Sequence, residues 1–267
     1  MSRGALLFAF NTPTVDYFKT AVATARRINH FLNLPVSVVT NKGTLLDFYN
    51  YKFDNVYEVV SDDSNSKEQK VWINKGRHQA YSISPYDETL LLDTDYLINS
   101  DKLLSLFDYY NDIYFHNTSK FLMYPNSEPE KLGPYSLETY WATVMVFKKS
   151  KRAQHLFDCM KMVQDNYSHY IALHGSLSSQ YRNDYSLTIA SRILNGHIDD
   201  KSEFIPWDLL HVTKEVKIIK NTNDEFNTSY TAMLRNGRDP LKPKKEYITL
   251  NDMDFHMLDK DNFVEVM

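Results

Sequence analysis

Hydrophobic positions in the first sixty residues form short continuous runs, as in buried strands, and one stretch at helical spacing. An apolar run at residues 5–10 predicts a strand, and β-branched runs at 36–40 and 56–60 predict two more. After the first run, apolar side chains recur at helical spacing, at Tyr17, Ala21, Ala25 and Ile28. Pro13 is expected at the start of this helix. Strands that alternate with helices predict an α/β fold with a mainly parallel sheet.

The same pattern continues along the rest of the chain. A helical segment at 71–84 leads to a short, mostly apolar strand at 89–92, which ends directly before Asp93. The downstream pattern predicts a strand at 143–147, helices at 150–166 and 184–194, and further strands at 216–219 and 247–250.

Composition fits an ordinary globular protein and excludes a strongly charged one. The 267 residues are 43% hydrophobic and 24% charged, which is enough to bury a substantial core, and we expect one domain. A net charge of −4 gives no general attraction to nucleic acid or to an anionic membrane. The apolar run at 5–10 is too short for a signal peptide or a membrane span, so we expect a cytoplasmic protein. The single cysteine, Cys159, cannot form an internal disulfide.

One local run of positive charge departs from this balance. Between residues 235 and 245 five cations face the single acid Asp239, and they are Arg235, Arg238, Lys242, Lys244 and Lys245. With Tyr230 and Tyr247 nearby, such a run suits binding of a phosphate backbone, although a solvated loop is the commoner role.

Asp93-Thr94-Asp95 is the first candidate for chemistry. The two carboxylates follow an apolar strand two residues apart, and alternation along a strand would aim both at one cation. Ligands of open α/β sheets bind beyond the carboxyl ends of strands, where this pair lies. Mg²⁺ and Mn²⁺ take oxygen ligands and often share them with substrate phosphates. The alternative is a pair of turn-capping aspartates.

Three further segments, taken with the aspartate pair, resemble glycosyltransferase family 8, the glycogenin-type branch of the GT-A enzymes. The matching segments are Phe10-Asn11-Thr12 followed by Tyr17, Asn183-Asp184-Tyr185 at a helix start, and residues 255–260 around His256. The resemblance implies a GT-A type, Rossmann-like fold over residues 1–267. It assigns nucleotide binding to residues 1–100, and acceptor binding with a C-terminal metal and diphosphate segment to residues 101–267.

The resemblance also implies roles for single residues. Phe10, Asn11, Thr12 and Tyr17 would contact the nucleotide, and Asp93, Thr94 and Asp95 would form the donor-binding element. Asp93, Asp95 and His256 would hold a divalent cation, Mn²⁺ or Mg²⁺. Arg77, with Lys75 as the alternative, and Lys260 would bind the diphosphate, and Asp184 would contact the donor sugar or act in catalysis.

Two departures from the family pattern limit what carries over. Asp259 replaces the usual glycine, and Lys260 follows His256 too closely, which leaves the role of Lys260 open. Residues 141–143 replace the family's Asn-Ser-Gly, so the sugar stays open as well. With Asp184 as the one candidate carboxylate, a retaining and an inverting reaction are both compatible with the sequence.

We therefore expect a metal-dependent glycosyltransferase that uses a nucleotide-sugar donor, with UDP as the expected nucleotide. The leading acceptor is a hydroxymethylated cytosine in phage DNA, bound through the basic run, and a glycan or protein acceptor is the alternative. A nucleotidyltransferase is disfavoured because the loop after residue 10 has neither glycine nor a basic residue. A non-catalytic nucleotide-sugar-binding protein is the third hypothesis. The sequence does not indicate an oligomeric state.

Overall fold

The strands and helices come from a computed structural model. It describes residues 1–44, 46–59, 64–67, 70–73, 75–134, 137–176, 180–236 and 244–267. The strands are β1 (Arg3–Ala9), β2 (Val36–Asn41), β3 (Asn55–Val59), β4 (Ser64–Lys67), β5 (Lys70–Ile73), β6 (Glu88–Leu92), β7 (Tyr96–Leu97), β8 (Ile113–His116), β9 (Ser119–Phe121), β10 (Trp141–Lys148), β11 (Leu209–Val212), β12 (Val216–Lys220), β13 (Ser229–Asn236), β14 (Lys244–Asn251) and β15 (Phe255–Met257). The α-helices are α1 (Tyr17–Arg27), α2 (Ala80–Ile83), α3 (Lys151–Asp165), α4 (Tyr167–Leu173), α5 (Asn183–Leu194) and α6 (Lys260–Val266).

A six-stranded sheet in the order β3-β2-β1-β6-β10-β8 forms the centre of the fold. Strands β1, β2, β3 and β6 are parallel, and β10 runs antiparallel to both of its neighbours. Because strand side chains alternate between faces, Leu90 and Leu92 pack with Phe18 of α1, whereas Leu91 packs with Phe157 of α3 and Leu187 of α5. The predicted α/β fold with a mainly parallel sheet is confirmed.

A second, smaller sheet lies beyond the end of β6 and brings distant parts of the chain together. Its order is β7-β15-β11-β9, and its registers place His256 beside Tyr96 on one side and beside His211 on the other. Strands β12, β13 and β14 form a third, antiparallel sheet. These strands of two to eight residues carry little periodicity of their own, which explains why the sequence pattern predicted only parts of β12 and β14 among them.

A buried arginine ties α1 to the chain segments that follow β7 and precede β13. Arg27, at the end of α1, donates from Nε to the carbonyl of Ile98 at 2.6 Å and from Nη2 to the carbonyl of Asn227 at 2.8 Å. Its side chain also bonds the amide oxygen of Asn99. Burial lowers the pKa of Arg27 because a charged guanidinium is poorly solvated there. These hydrogen bonds compensate for the buried charge and fix α1 against the chain that follows Asp95.

Several predicted boundaries change in the structure. The first helix begins at Tyr17, where Asp16 caps it by accepting from the amide of Lys19, so the prediction that Pro13 starts the helix was wrong. The helix predicted at 71–84 was also wrong in its first part, because β5 extends to Ile73 and only a 3-10 turn at Lys75–Gln79 and α2 are helical. The predicted strand at 143–147 is the centre of the longer β10. None of the described helices is long and apolar enough to cross a lipid bilayer.

Candidate functional site

The Asp-x-Asp segment is a tight turn that follows β6. The amide of Asp93 donates to the carbonyl of Thr143 at 2.9 Å, and the amide of Tyr96 donates back to the carbonyl of Asp93 at 3.2 Å. Thr94 is held by α1, since its carbonyl accepts from the Thr24 hydroxyl at 2.6 Å and its hydroxyl lies 3.0 Å from that of Thr20. The turn therefore sets the direction of the two carboxylates. The prediction that alternation along a strand directs both of them to one cation was wrong.

Asp93, Asp95 and His256 converge on one point. One ligand atom from each lies within 4.8 Å of those of the other two. Nε2 of His256 lies 3.1 Å from Oδ2 of Asp95, and the pairing of β15 with β7 accounts for this contact across the 161 residues that separate them. Two carboxylates and one imidazole are a donor set that fits Mn²⁺ or Mg²⁺, with substrate oxygens to complete the coordination. The three predicted ligands thus form a possible metal site.

Two cations neutralise the aspartates. Nη1 of Arg77 lies 2.6 Å from Oδ1 of Asp93, and the ammonium of Lys260 contacts the carboxylate of Asp95. The Arg77 side chain is 6% exposed and also donates from Nη2 to the carbonyl of Ala142, while its buried Nε has no partner among the described residues. Burial lowers the pKa of Lys260 to about 8. Both cations therefore lie where an anionic diphosphate would meet them.

Two histidine rings extend the site into the second sheet. Nδ1 of His211 lies 3.1 Å from Nδ1 of His256, and neither residue is more than 8% exposed. Burial lowers the pKa of His256, and burial together with the neighbouring His256 lowers the pKa of His211 to about 2. Both imidazoles are neutral at physiological pH for this reason.

A cleft of about 560 Å³ opens above these groups. Asp184, in the first turn of α5, lines the wall that it shares with Ala142, and its Oδ1 accepts from the amide of Ala142 at 2.9 Å. Its Oδ2 accepts from Arg182 at 3.2 Å, and Arg182 also pairs with Glu130. Asp184 does not cap its own helix, and its carboxylate is instead fixed between a backbone amide and a guanidinium, with 19% of the side chain exposed to the cleft.

Most of the predicted site residues line this cleft. Those that do are Phe10, Tyr17, Arg77, Asp93, Thr94, Asp95, Asp184, His256 and Lys260. Three others do not. Asn11 accepts from the amide of Phe18, Thr12 accepts from the amide of Val15, and Lys75 lies on the 3-10 turn with its carbonyl against the ring of His78. The side chains of Asn11 and Thr12 shape the loop after β1, and the predicted part of both residues in nucleotide binding stays a prediction.

Only part of the basic run can be located. Arg238 and Lys242 lie outside the described residues, and Arg235 and Lys244 are placed on β13 and β14 by their backbone alone. Lys245 is exposed on β14 and pairs with Arg235 in the sheet register. The predicted role of this run in acceptor binding stays a prediction.

The cleft also holds residues that the sequence pattern missed. Gln180, Tyr181, Arg182 and Asn183 line it directly before Asp184, and Phe8 lines it from β1. Their position next to Asp184 in the chain was the available signal for the first four. His211, which contacts the metal-site histidine, had no signal because β11 is a short strand whose partner lies 45 residues away.

Comparisons with known proteins give a likeness of fold. No family model matches the sequence, and no curated protein matches it. The galactosyltransferase LgtC, solved in complex with donor and acceptor sugar analogues, is 14% identical over 70% of this chain and 69% of its own, with a TM-score of 0.49. The glycosyltransferase GlyE of Streptococcus pneumoniae TIGR4 is 11% identical over 76% of this chain and 45% of its own, with a TM-score of 0.42. Mouse xyloside xylosyltransferase 1 in its apo form is 12% identical over 78% of this chain and 86% of its own, with a TM-score of 0.45. At these identities and TM-scores the likeness concerns fold alone and carries no conclusion about activity.

Proposed function

We propose that the chain is a metal-dependent glycosyltransferase of GT-A type that takes a sugar from a nucleotide-sugar donor. The observation that carries the proposal is the convergence of Asp93, Asp95 and His256 in one cleft, which two cations and the fixed carboxylate of Asp184 also line. This combination suits transfer of a sugar from a nucleoside diphosphate, because negative charge develops on the departing diphosphate while polar groups orient the sugar.

The protein side chains divide this work between them. Asp93, Asp95 and His256 would hold the cation, which when bound supplies Lewis-acid stabilisation of the leaving diphosphate. Lys260 lies on the cleft floor as a second positive charge for the phosphates, and Arg77 keeps Asp93 in place. Phe10, directly after β1, and Tyr17, at the start of α1, line the same cleft, and an aromatic face suits the base of UDP.

The sugar is expected beside Asp184, which lines the same cleft. Asp184 presents a carboxylate whose orientation the Ala142 amide and Arg182 fix, so that its exposed edge can accept a hydrogen bond from a sugar hydroxyl. Gln180 and Asn183 line the same cleft with amide groups, which are the usual partners of polyols. We therefore favour a glycan or protein hydroxyl as acceptor. A DNA acceptor depends on the basic run, whose side chains contribute no described contact to this cleft.

The test is donor turnover by the whole chain with Mn²⁺ and a panel of UDP-, GDP- and CMP-sugars. Release of the nucleotide (UDP or GDP from the diphosphate donors, CMP from the CMP-sugars), followed by mass analysis of glycan, protein and hydroxymethylcytosine-DNA acceptors, should identify one donor and one acceptor class. Asp93→Asn should reduce turnover by at least about 100-fold, as loss of a transition-state charge partner does. Asp165→Asn, an exposed aspartate on α3, is the matched control and should leave turnover unchanged.

Three outcomes would contradict the proposal. Release of a sugar phosphate, with the nucleoside monophosphate transferred to the acceptor, instead of release of nucleoside diphosphate would indicate a nucleotidyltransferase. Donor binding without turnover on any acceptor or on water would indicate a binding protein. Equal turnover in Asp93→Asn and wild type would remove the metal site from the reaction.

A further inference from the structure

His211 is a buried histidine to which the proposed reaction gives no part. It lies on β11, where the parallel register with β15 pairs it directly with His256. Residues paired in this way point to the same face of a sheet, which brings the two Nδ1 atoms to 3.1 Å. The ring of Phe121 stacks on His211 at 4.9 Å between centroids, and that of Trp141 lies at 4.4 Å, so the orientation of the His211 ring is fixed by packing.

Hydrogen-bond chemistry assigns the hydrogens in the metal-free protein. A carboxylate only accepts, so Nε2 of His256, 3.1 Å from Oδ2 of Asp95, carries a hydrogen there. A neutral imidazole has one N–H, so Nδ1 of His256 is an acceptor and Nδ1 of His211 donates to it. The Nε2 of His211 is buried without a partner among the described residues, and this assignment leaves it as a lone pair, which costs less than a buried N–H without an acceptor.

A bound cation requires the opposite arrangement. Nε2 of His256 can serve as a ligand only through its lone pair, so the hydrogen of that ring must then be on Nδ1. The Nδ1 atom of His211 becomes the acceptor, and the hydrogen of His211 moves to Nε2. Each ring carries one N–H before and after, so the exchange neither takes up nor releases a proton.

We propose that His211 is a positioning residue for the cation, because it holds Nε2 of His256 towards Asp93 and Asp95 through the hydrogen bond between the two Nδ1 atoms. The inference rests on the proposed metal site and adds a partner to it. Metal-binding histidines commonly donate their second N–H to a carboxylate, a carbonyl or water. Carboxylates and carbonyls can only accept a hydrogen bond, and a water molecule is mobile. An imidazole both donates and accepts, so His211 can hold the ring in the metal-free and in the metal-bound protein without moving.

The first test measures the affinity of the full chain for Mn²⁺ alone, from the electron paramagnetic resonance signal of free Mn²⁺. His211→Phe keeps an aromatic ring between Phe121 and Trp141 but removes the acceptor, and it should weaken Mn²⁺ binding about 10- to 100-fold. His211→Gln restores a carbonyl acceptor and should recover most of this loss. His116→Phe is the matched control, since His116 is equally buried but its ring nitrogens have no hydrogen-bond partner among the described residues, and it should bind Mn²⁺ like wild type.

The second test needs no variant and separates positioning from packing. Nitrogen-15 spectra of the histidine rings in the wild-type chain should show the Nε2–H tautomer of His256 without metal and the Nδ1–H tautomer with the diamagnetic probe Zn²⁺, with His211 changing in the opposite direction. Unchanged tautomers at saturating Zn²⁺, release of a proton from the pair, or an Mn²⁺ affinity of His211→Phe equal to that of wild type would each overturn the inference. A wild-type chain that binds neither ion, in the absence and in the presence of UDP, would instead refute the metal site itself.

Discussion

Removal of Asp95 should destabilise the protein through the charge that it leaves behind. Asp95 is 7% exposed at its side chain, and its carboxylate contacts the ammonium of Lys260, whose side chain is 23% exposed. In Asp95→Ala this ammonium would lose its direct partner, and the remaining nearby carboxylate, Asp93, already pairs with Arg77. This reasoning is tested by adding a second substitution, Lys260→Met, to Asp95→Ala. The second substitution removes the positive charge and keeps the length of the side chain.

The expected magnitudes follow from the burial of the pair. Loss of one partner of a buried ion pair costs about 3–5 kcal/mol, and the partial exposure of Lys260 places Asp95→Ala near the lower limit, at about 3 kcal/mol. Replacement of both partners by apolar groups is often close to neutral. The double variant Asp95→Ala/Lys260→Met should therefore be more stable than Asp95→Ala by about 2 kcal/mol, so the second substitution partly reverses the damage of the first.

The assay is equilibrium urea unfolding near pH 7 with a chelator present, so that no divalent ion contributes. The pair Lys161 and Asp165, both about half exposed on α3, is the control, and Lys161→Met in the background of Asp165→Ala should change the free energy of unfolding by no more than about 0.5 kcal/mol. If Lys260→Met makes Asp95→Ala still less stable, Lys260 does not balance the charge of Asp95 and the reasoning fails.

Four further predictions concern the site and its surroundings. Asp184→Asn keeps an acceptor for the Ala142 amide but loses the negative charge, so kcat/KM for the donor should fall on the order of 10- to 100-fold while Mn²⁺ affinity stays unchanged. Equal losses in kcat/KM and in Mn²⁺ affinity would mean that the cleft has rearranged. Burial lowers the pKa of His116 to about 3, against 6.5 in the unfolded chain, and the charged groups near it are Asp208 and Lys102. The unfolded chain therefore binds a proton that the folded chain does not, so the contribution of His116 to protein stability is full above pH 6.5 and is lost as pH falls below it. Between about pH 7.5 and about pH 5.5 the wild type should lose about 1.4 kcal/mol more than His116→Phe in urea unfolding, and parallel curves would exclude a buried neutral ring. If DNA is the acceptor, neutralisation of Lys242, Lys244 and Lys245 should raise the acceptor KM and reduce the salt slope by about one unit per lost contact, whereas normal transfer at every salt concentration would exclude this run. Mn²⁺ and UDP should each strengthen the binding of the other by about 10-fold or more in calorimetric titrations, and independent binding would argue against a shared site.

The sequence pattern predicted the sheet where strands are long and buried on both faces. Leu90, Leu91 and Leu92 form an unbroken apolar run, which is sufficient to identify a central strand, and the aspartates that follow it are identified by adjacency alone. The predicted ends of helices α3 and α5 differ from the observed ends by at most one residue, because both helices have a continuous apolar stripe. Local patterns of this kind need no knowledge of the rest of the fold.

Contacts between distant segments could not be predicted in this way. His256 was assigned through a family resemblance, and the pairing of β15 with β7 and β11 that brings it to Asp95 depends on strands of two to four residues. The choice between Arg77 and Lys75 turned on the course of a 3-10 turn that the pattern had interpreted as an α-helix. The side-chain oxygen of Asn11 serves the loop after β1, a use that a sequence motif does not distinguish from ligand binding, and its predicted nucleotide contact stays a prediction.

The charges of the site explain why metal and donor should bind together. Without a ligand, Asp93 and Asp95 are balanced by Arg77 and Lys260, and both histidines next to them are neutral, so the floor of the cleft carries no net charge. A divalent cation alone would leave two uncompensated positive charges in a poorly hydrated place, and a diphosphate alone would meet the two carboxylates. The two together restore neutrality. A site built in this way binds the cation and the diphosphate together better than it binds either one alone. After the sugar has been transferred, departure of the cation or of the diphosphate weakens the binding of the other.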